Sequence, residues 1–442
     1  MGQFTRRGFV GSVLGLAATK ALRAQQMASM MGSDKRPGSV RIKITDVRCA
    51  IIGKNPVVRI MTDQGISGYG QAESAKPYLK PMVLFYKPYL MDSDPTDVGR
   101  IMLRIRQLGA MKPWGAAVSA IEIALWDIAG QAAGLPVHAL LGGKIRDRVM
   151  PYGNSENNTP VFGPRSPEQM TEIAQRMKEA KEGYKLVKMP VAFHNGPMMN
   201  AMPDAWFGEH WTGRNGPYMN RGLMTERGFD YVLSCAEAAK KVLGKEIDLA
   251  FDCGPGWVIK DAIRFARAVE PLHLAWLEDV ITGDGEPYPN AQLFKELKES
   301  TSTPIHTGEE LYLRENCKDL IETQAVDVLG PDPEDVGGIA ELKWIAEYAN
   351  LHGILVAPHG IFDGLFGVAA QVHLGAVCPQ NYIGFEYAKG QPDWWYEIVE
   401  GLPNPIVKDG YIDVWDKPGL GVTFNVKAAK AHLSADDSTF FD

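Results

Sequence analysis

Cysteine is scarce and poorly placed for a covalent framework. The 442 residues hold five, Cys49, Cys235, Cys253, Cys317 and Cys378, odd in number and widely scattered. That spacing excludes a disulfide scaffold and a cysteine-built zinc site. Positive charge is also short: 46 Lys and Arg against 53 Asp and Glu leave a formal charge of −7. Such a surface offers no footing for nucleic acid, and an anionic substrate must be held by local cations or a metal. Long apolar runs are missing as well. The best candidate, Phe9 to Ala18, falls short of the roughly 20 residues a span requires, so no stable membrane anchor is expected. No short repeat or low-complexity tract interrupts the chain.

The N-terminus carries an address instead. TRRGFVGSVLGLAATKALRAQ places Arg6 and Arg7 before the apolar run, with small residues leading to Ala24, the layout of a secretory signal of the twin-arginine type. Residues 1–24 are therefore expected to be a signal peptide read by the twin-arginine export machinery. Residues 25–40 are a polar linker and the mature protein periplasmic. Export in the folded state suits a chain that loads a metal before it leaves the cytoplasm.

Residues 41–148 read as an α+β capping domain. VRIKITDVRCAIIGKNPVVRIMTDQGISGYGQAES predicts antiparallel strands, with Asn55-Pro56 and Gly65 to Gly70 supplying the turns. Ile121, Ala124, Leu125 and Ile128 follow helical spacing in the helix-rich stretch after Asp94-Pro95. From Val149 to residue 400 the pattern alternates. VMPYGN, YKLVKM, DLAFDCG, LAWLED, PIHTGEE, AVDVLGPD, GILVAPHG and YIGFEYA are strand-like segments with helical ones between most of them, which predicts an α/β fold of the (β/α)8 barrel type. Residues 401–442 are turn-rich and expected to pack back on the capping domain. One gap is anomalous: 64 residues separate Lys188 from Asp252, so an excursion over 191–228 is expected above the barrel mouth as a lid, specificity loop or oligomer contact.

Acidic residues end three consecutive strands: Asp252 in FDCG, Glu278 in WLED and Glu309 in TGEE. Asp332, His359 and Glu386 follow at the next three. The successive gaps are 26, 31, 23, 27 and 27 residues, one polar residue per βα unit. Strand C-termini of a parallel barrel share one mouth, so these side chains converge. Asp252, Glu278 and Glu309 form a hard oxygen set suited to Mg²⁺, with Mn²⁺ the alternative; without a cation their joint burial is unfavourable. Cys253, next to a ligand position, alternates to the other side of its strand and belongs to the core. His359 is the candidate base and Asp332 the residue that fixes its tautomer. Alternation turns Leu186, Lys188 and Pro190 one way and Lys185 the other. Lys188 is thus a cation for the substrate carboxylate or the metal's acids, and Pro190 has no proton to exchange. A divalent ion beside a His-Asp pair suits removal of a proton next to a carboxylate, the metal stabilising the enediolate.

Over residues 41 to 425 the chain resembles the mandelate racemase group of the enolase superfamily. The resemblance rests on ALWDIAGQAAGLPVHALLGGKIRDRV and on FDCG, WLED, TGEE, PDPEDVGGIAELKWIA, APHG and GFEY in order. It implies Mg²⁺ on Asp252, Glu278 and Glu309, the Asp332/His359 dyad, Glu386 as hydrogen-bond donor to substrate, and a homo-oligomer. Glu310 belongs to the opposite strand face. Racemases of the group carry a second lysine where Pro190 stands here. KMP, with His194, Gly196 and Pro197 beyond it, is similar to L-rhamnonate dehydratases, while Gly254 stands where galactonate-type enzymes have a histidine. The resemblance thus implies dehydration of a sugar acid to a 2-keto-3-deoxy acid. The alternatives are an epimerase or racemase or a cycloisomerase using His194 or His210, and a non-catalytic exported binding protein.

Overall fold

The structure, a computed structural model, describes residues 41–73, 77–107, 116–154, 166–191, 202, 204–207, 223–254, 256–281, 289–360, 364–387 and 394–442. The proposed signal and linker, and most of the excursion including His194 and His210, lie outside the described residues.

Three antiparallel strands, β1 (Ile44–Ile52), β2 (Asn55–Thr62) and β3 (Ser67–Gln71), form the first sheet in the order β1-β2-β3. The first turn falls on Gly53 and Lys54, not on Asn55-Pro56. Gly53 has φ 64°, and Ile52 already pairs with Asn55 and Ile51 with Pro56. Left-handed backbone is open to glycine at little cost, whereas proline tolerates the start of a strand. Helices α1 (Lys80–Leu90), α2 (Val98–Gln107) and α3 (Ala116–Ala133) follow. Along α3 the residues Ile121, Ala124, Leu125 and Ile128 are all buried, each large one contributing about 1.5–3 kcal/mol. The sheet reaches α3 through glycine: a Cβ on Gly70 would stand 1.9 Å from the Ala120 carbonyl oxygen.

After α4 (Val137–Leu140) and β4 (Arg148–Val149) the barrel begins. Its strands are β5 (Pro151–Asn154), β6 (Leu186–Pro190), β7 (Asp248–Asp252), β8 (Trp276–Glu278), β9 (Ile305–Thr307), β10 (Val328–Leu329), β11 (Leu355–Val356) and β12 (Phe385–Tyr387). They pair in parallel in sequence order, and β12 returns to β5. Backbone bonds from Val356 to Asn381, from Ile383 to Val356 and from Glu386 to Pro358 close the ring. Helices α5 (Pro167–Lys178), α6 (Glu226–Leu243), α7 (Ile259–Ala268), α8 (Ala291–Glu299), α9 (Leu313–Glu322), α10 (Ile339–Leu351) and α11 (Leu365–Val377) follow the first seven strands. After β12 the described residues supply the short α12 (Trp395–Ile398). It ends where Val399 turns extended, φ −119° and ψ 127°, and pairs with Phe424.

The chain end completes the capping layer. β13 (Val399–Glu400) pairs with β15 (Thr423–Phe424), β14 (Ile412–Asp413) pairs with β4, and α13 (Val426–Ala429) follows. Asp127 of α3 accepts from Tyr69 N at 3.0 Å and Leu420 N at 2.9 Å, tying β3, α3 and the C-terminal segment together. Asp437 accepts from Ile51 N at 2.8 Å, and Arg59 donates to the Phe440 carbonyl at 2.9 Å. On its barrel side α3 offers Glu122, which accepts from Ile339 N and Ala340 N at the start of α10. All five cysteines are free and buried, and burial pushes the Cys49, Cys235 and Cys378 thiols up to about 12. No helix among the described residues is long and apolar enough to cross a membrane.

Candidate active site

The barrel interior is built in layers two residues apart. Tyr152, Leu186, Ala250, Trp276 and Ala357 belong to one buried apolar cluster. Two positions further along each strand stand Asn154, Lys188, Asp252, Glu278 and His359. A step of two keeps side chains on one face, so a hydrophobic floor dictates a polar row above it.

Lys188 is 1% exposed, and its Nζ lies 2.7 Å from Glu278 Oε1, 3.1 Å from Glu386 Oε1 and 3.8 Å from Asp252 Oδ2. Burial alone would lower its pKa, but the three carboxylates outweigh that and hold it well above the ordinary lysine range. The same contact acts on Glu386: against the upward push of burial, Lys188 and His359 hold its carboxyl below the ordinary range. Asn154 Nδ2 also donates to Glu386 Oε1. Glu386 is an acceptor here, from Asn154 Nδ2 and from Gly360 N at 3.3 Å; the donor role implied by the resemblance requires a proton on it. Glu278 Oε2 is backed by Trp276 Nε1 at 3.2 Å and His306 Nδ1 at 3.4 Å, and burial keeps the His306 pKa below the ordinary histidine value.

His359 stands at the mouth with its two nitrogens in different surroundings. Nδ1 lies 2.8 Å from Asp332 Oδ2 and 3.5 Å from Glu73 Oε1; Nε2 lies 3.7 Å from Glu309 Oε2 and 3.6 Å from Glu386 Oε2. Asp332 is fully buried and held in turn by Glu334 N at 2.6 Å. Gln371 donates to the His359 carbonyl at 2.6 Å, fixing the backbone. Burial disfavours the imidazolium, but Glu386, Asp332 and Glu73 overcome it and raise the His359 pKa to about 10.

Glu278, Asp279 and Glu309 bring carboxylate oxygens within 4.8 Å of one another. Asp252 is the cross-strand partner of Glu278, with Lys188 Nζ beside both, and its Oδ1 accepts from Gly254 N at 2.9 Å. These donors are hard oxygens, in excess over the local cations Lys188 and His359, and they fit a divalent ion.

Three contributors escape a reading of the sequence. Alternation turns Asp279 away from the mouth, yet φ of 50° breaks the alternation and brings its carboxylate to Glu278 and Glu309. Asn154, at the end of the first barrel strand, had the positional signal of its fellows but carries no charge. Glu73 follows Tyr69 and Gln71 two residues past the end of β3, but nothing in the sequence says what that row meets. Glu310 contributes no atom to the metal-competent groups. Of the excursion the described parts are its roots: Phe207 N donates to the Leu223 carbonyl, Thr225 N to that of Ala205, and Trp206 is buried in the main core. A cavity of about 380 Å³ lined by Met150, Lys185, Leu186, Trp276 and Val328 lies at the other end of the strands and holds none of this chemistry.

Comparison with known proteins places the chain in a family. Residues 40–142 match the mandelate racemase / muconate lactonizing enzyme N-terminal domain, and residues 169–429 the enolase C-terminal domain-like family. A D-xylonate dehydratase of Haloferax volcanii is 31% identical over 416 residues, 92% of this chain and 92% of that protein. A D-mannonate dehydratase of Caulobacter vibrioides is 29% identical over 88% of this chain and 95% of its own length. The solved mandelate racemase/muconate lactonizing enzyme-like protein of Rubrobacter xylanophilus superposes with a TM-score of 0.76 at 28% identity, covering 90% of this chain and 99% of that one. By its two family domains, its full-length relatives and its barrel, this chain belongs to the mandelate racemase/muconate lactonizing enzyme family of the enolase superfamily.

Proposed function

We propose that this protein is a Mg²⁺-dependent hydro-lyase that converts a sugar acid to a 2-keto-3-deoxy acid. The observation that carries the reading is His359, with Nδ1 on buried Asp332 at 2.8 Å and Nε2 turned to Glu309 and Glu386. Asp252, Glu278 and Glu309 would hold the ion, with Asp279, whose Oδ1 receives the Thr307 hydroxyl, as support. Bound there, the ion supplies Lewis-acid stabilisation of negative charge on the substrate carboxylate. The positive charge of a bound ion would oppose the carboxylates that raise the His359 pKa, leaving Nε2 free to take the proton from C2. The electron pair of that bond passes into the carboxylate as an enediolate. The pair returns to form C2=C3 as the C3–O bond breaks, and His359 delivers its proton to the departing hydroxyl, releasing water. The enol then takes a proton at C3 to give the ketone. Asp332 keeps the imidazole in one tautomer through both transfers, and Lys188 offsets the charge of Asp252, Glu278 and Glu386.

One base does both jobs, which fits Pro190 at the place of a second lysine: it ends β6 opposite Asp252 and has nothing to exchange. The test is a panel of D-xylonate, D-mannonate, D-galactonate and L-rhamnonate with Mg²⁺-loaded protein, scored with semicarbazide for 2-keto acids, with His359→Asn alongside. Product from the native protein alone supports the reading. Loss of α-hydrogen without keto acid would move it to epimerisation. Arg6 and Arg7 support twin-arginine export of this enzyme to the periplasm; retention in the cytoplasm of cells expressing the full chain, judged by fractionation, would count against it.

A further inference from the structure

We propose that Glu73, carried by the capping domain, is a positioning residue that braces His359 from its Nδ1 side, so that both domains together set the orientation of the base. The inference rests on the proton-transfer role given to His359 above. It begins with the parity of β3. Gly68 and Gly70 face α3, where an added Cβ would strike the Ala124 and Ala120 carbonyls. The alternate residues face the barrel. Tyr69 packs its ring on Phe366 at 5.5 Å and Phe424 at 5.1 Å. Gln71 abuts Gly364 beside Trp395, so closely that a Cβ on Gly364 would overlap both side chains. Glu73 is next in this row, and its carboxylate arrives 3.5 Å from His359 Nδ1 in a buried setting.

The side of approach identifies the role. Nε2 faces Glu309 and Glu386, where substrate must bind, whereas Glu73 shares Nδ1 with Asp332. Asp332, at 2.8 Å, takes the Nδ1 hydrogen. At 3.5 Å Glu73 is at the outer limit of a hydrogen bond and acts by filling the space into which the ring would otherwise turn. Gln371 fixes the His359 backbone, which leaves ring rotation as the freedom a brace must remove. A misplacement of about 1 Å at a reacting group costs on the order of 10²-fold in rate, so a modest rotation is enough to be felt.

Two variants separate this from other roles. Glu73→Asp keeps the charge but withdraws the carboxylate by one carbon; Glu73→Gln keeps the reach and loses the charge. With the panel acid that the native protein turns over fastest, Glu73→Asp is expected to lower kcat about 10-fold or more, with KM within about twofold. Glu73→Gln removes one of the charges that raise the His359 pKa, so its kcat–pH profile should move to lower pH while the maximum stays within about threefold of native. Substrate Kd, measured by calorimetry on Mg²⁺-loaded His359→Asn protein, should not move when Glu73→Asp is added, because Glu73 works through the ring. A Glu73→Asp enzyme with native kcat overturns the inference, as does a tenfold rise in KM or Kd in either variant. The two readings fail differently. If His359→Asn turns over normally, the proton-transfer reading is wrong and the brace with it; if His359→Asn is dead and Glu73→Asp is not slowed, only the brace is wrong.

Discussion

Replacing Lys188 with methionine removes the cation at the centre of the site while keeping most of its volume. Glu278, Glu386 and Asp252 then lose an ammonium at 2.7, 3.1 and 3.8 Å. Breaking a buried ion pair from one side typically costs about 3–5 kcal/mol, because the remaining charge stays buried. At roughly 2.1 cal/mol/K per residue, a chain of 442 residues unfolds with an entropy near 0.9 kcal/mol/K, so this loss corresponds to about 3–5 °C in Tm. The deficit should depend on pH. Burial pushes the Glu386 carboxyl up and Lys188 is the first of the groups that oppose it; with Lys188 gone that push prevails, and stability present below the unfolded pKa is lost as pH rises. Calorimetric scans of native and Lys188→Met protein in chelator should therefore show a smaller gap at pH 5 than at pH 8. Saturating Mg²⁺ should narrow it, since the ion offsets the same charges. A gap under about 1 °C, or one unchanged between the two pH values, would refute the assignment of Lys188 as their counter-charge.

Burial raises the Glu122 pKa to about 7 despite its bonds to Ile339 N, Ala340 N and Trp126 Nε1. Its folded pKa exceeds its unfolded value, so stability falls from about pH 4.5 to 7, by an amount on the order of 3 kcal/mol; the Tm of Glu122→Gln relative to native should rise across that window in pH-resolved melts. Gly70→Ala drives a Cβ to 1.9 Å from the Ala120 oxygen and 2.9 Å from Ala124 N, and should cost at least the roughly 1–3 kcal/mol typical of overpacking, seen as a lower urea midpoint. In Mg²⁺ titration calorimetry Asp279→Asn should weaken binding by about 10–100-fold, as loss of an outer partner does. Asp252→Asn should weaken it more; the reverse order would exchange their roles.

What the sequence makes legible follows from alternation. Once Leu186 is inside, Lys188 must be, and the same step carries Ala250 to Asp252, Trp276 to Glu278 and Ala357 to His359. The eight barrel strands are readable on these grounds. What alternation cannot deliver is a residue where the backbone leaves the strand. Asp279 comes to Glu278 and Glu309 because its φ is positive, and nothing in LAWLEDV marks that turn. Docking between elements distant in sequence is equally silent: Glu73 meets His359, and Glu122 meets the start of α10, because α3 and β3 lie on the barrel.

The central claim is that His359 Nε2 removes the α-proton, and isotope exchange tests it most directly. Native and His359→Asn proteins, loaded with Mg²⁺, would be incubated in D₂O with the panel acid that turns over, and followed by proton NMR at C2 and C3. The account predicts that the native enzyme gives keto acid with deuterium at C3 and that His359→Asn gives neither product nor loss of the C2 proton. Exchange at C2 by His359→Asn at a rate near native would assign the base to another residue and contradict it.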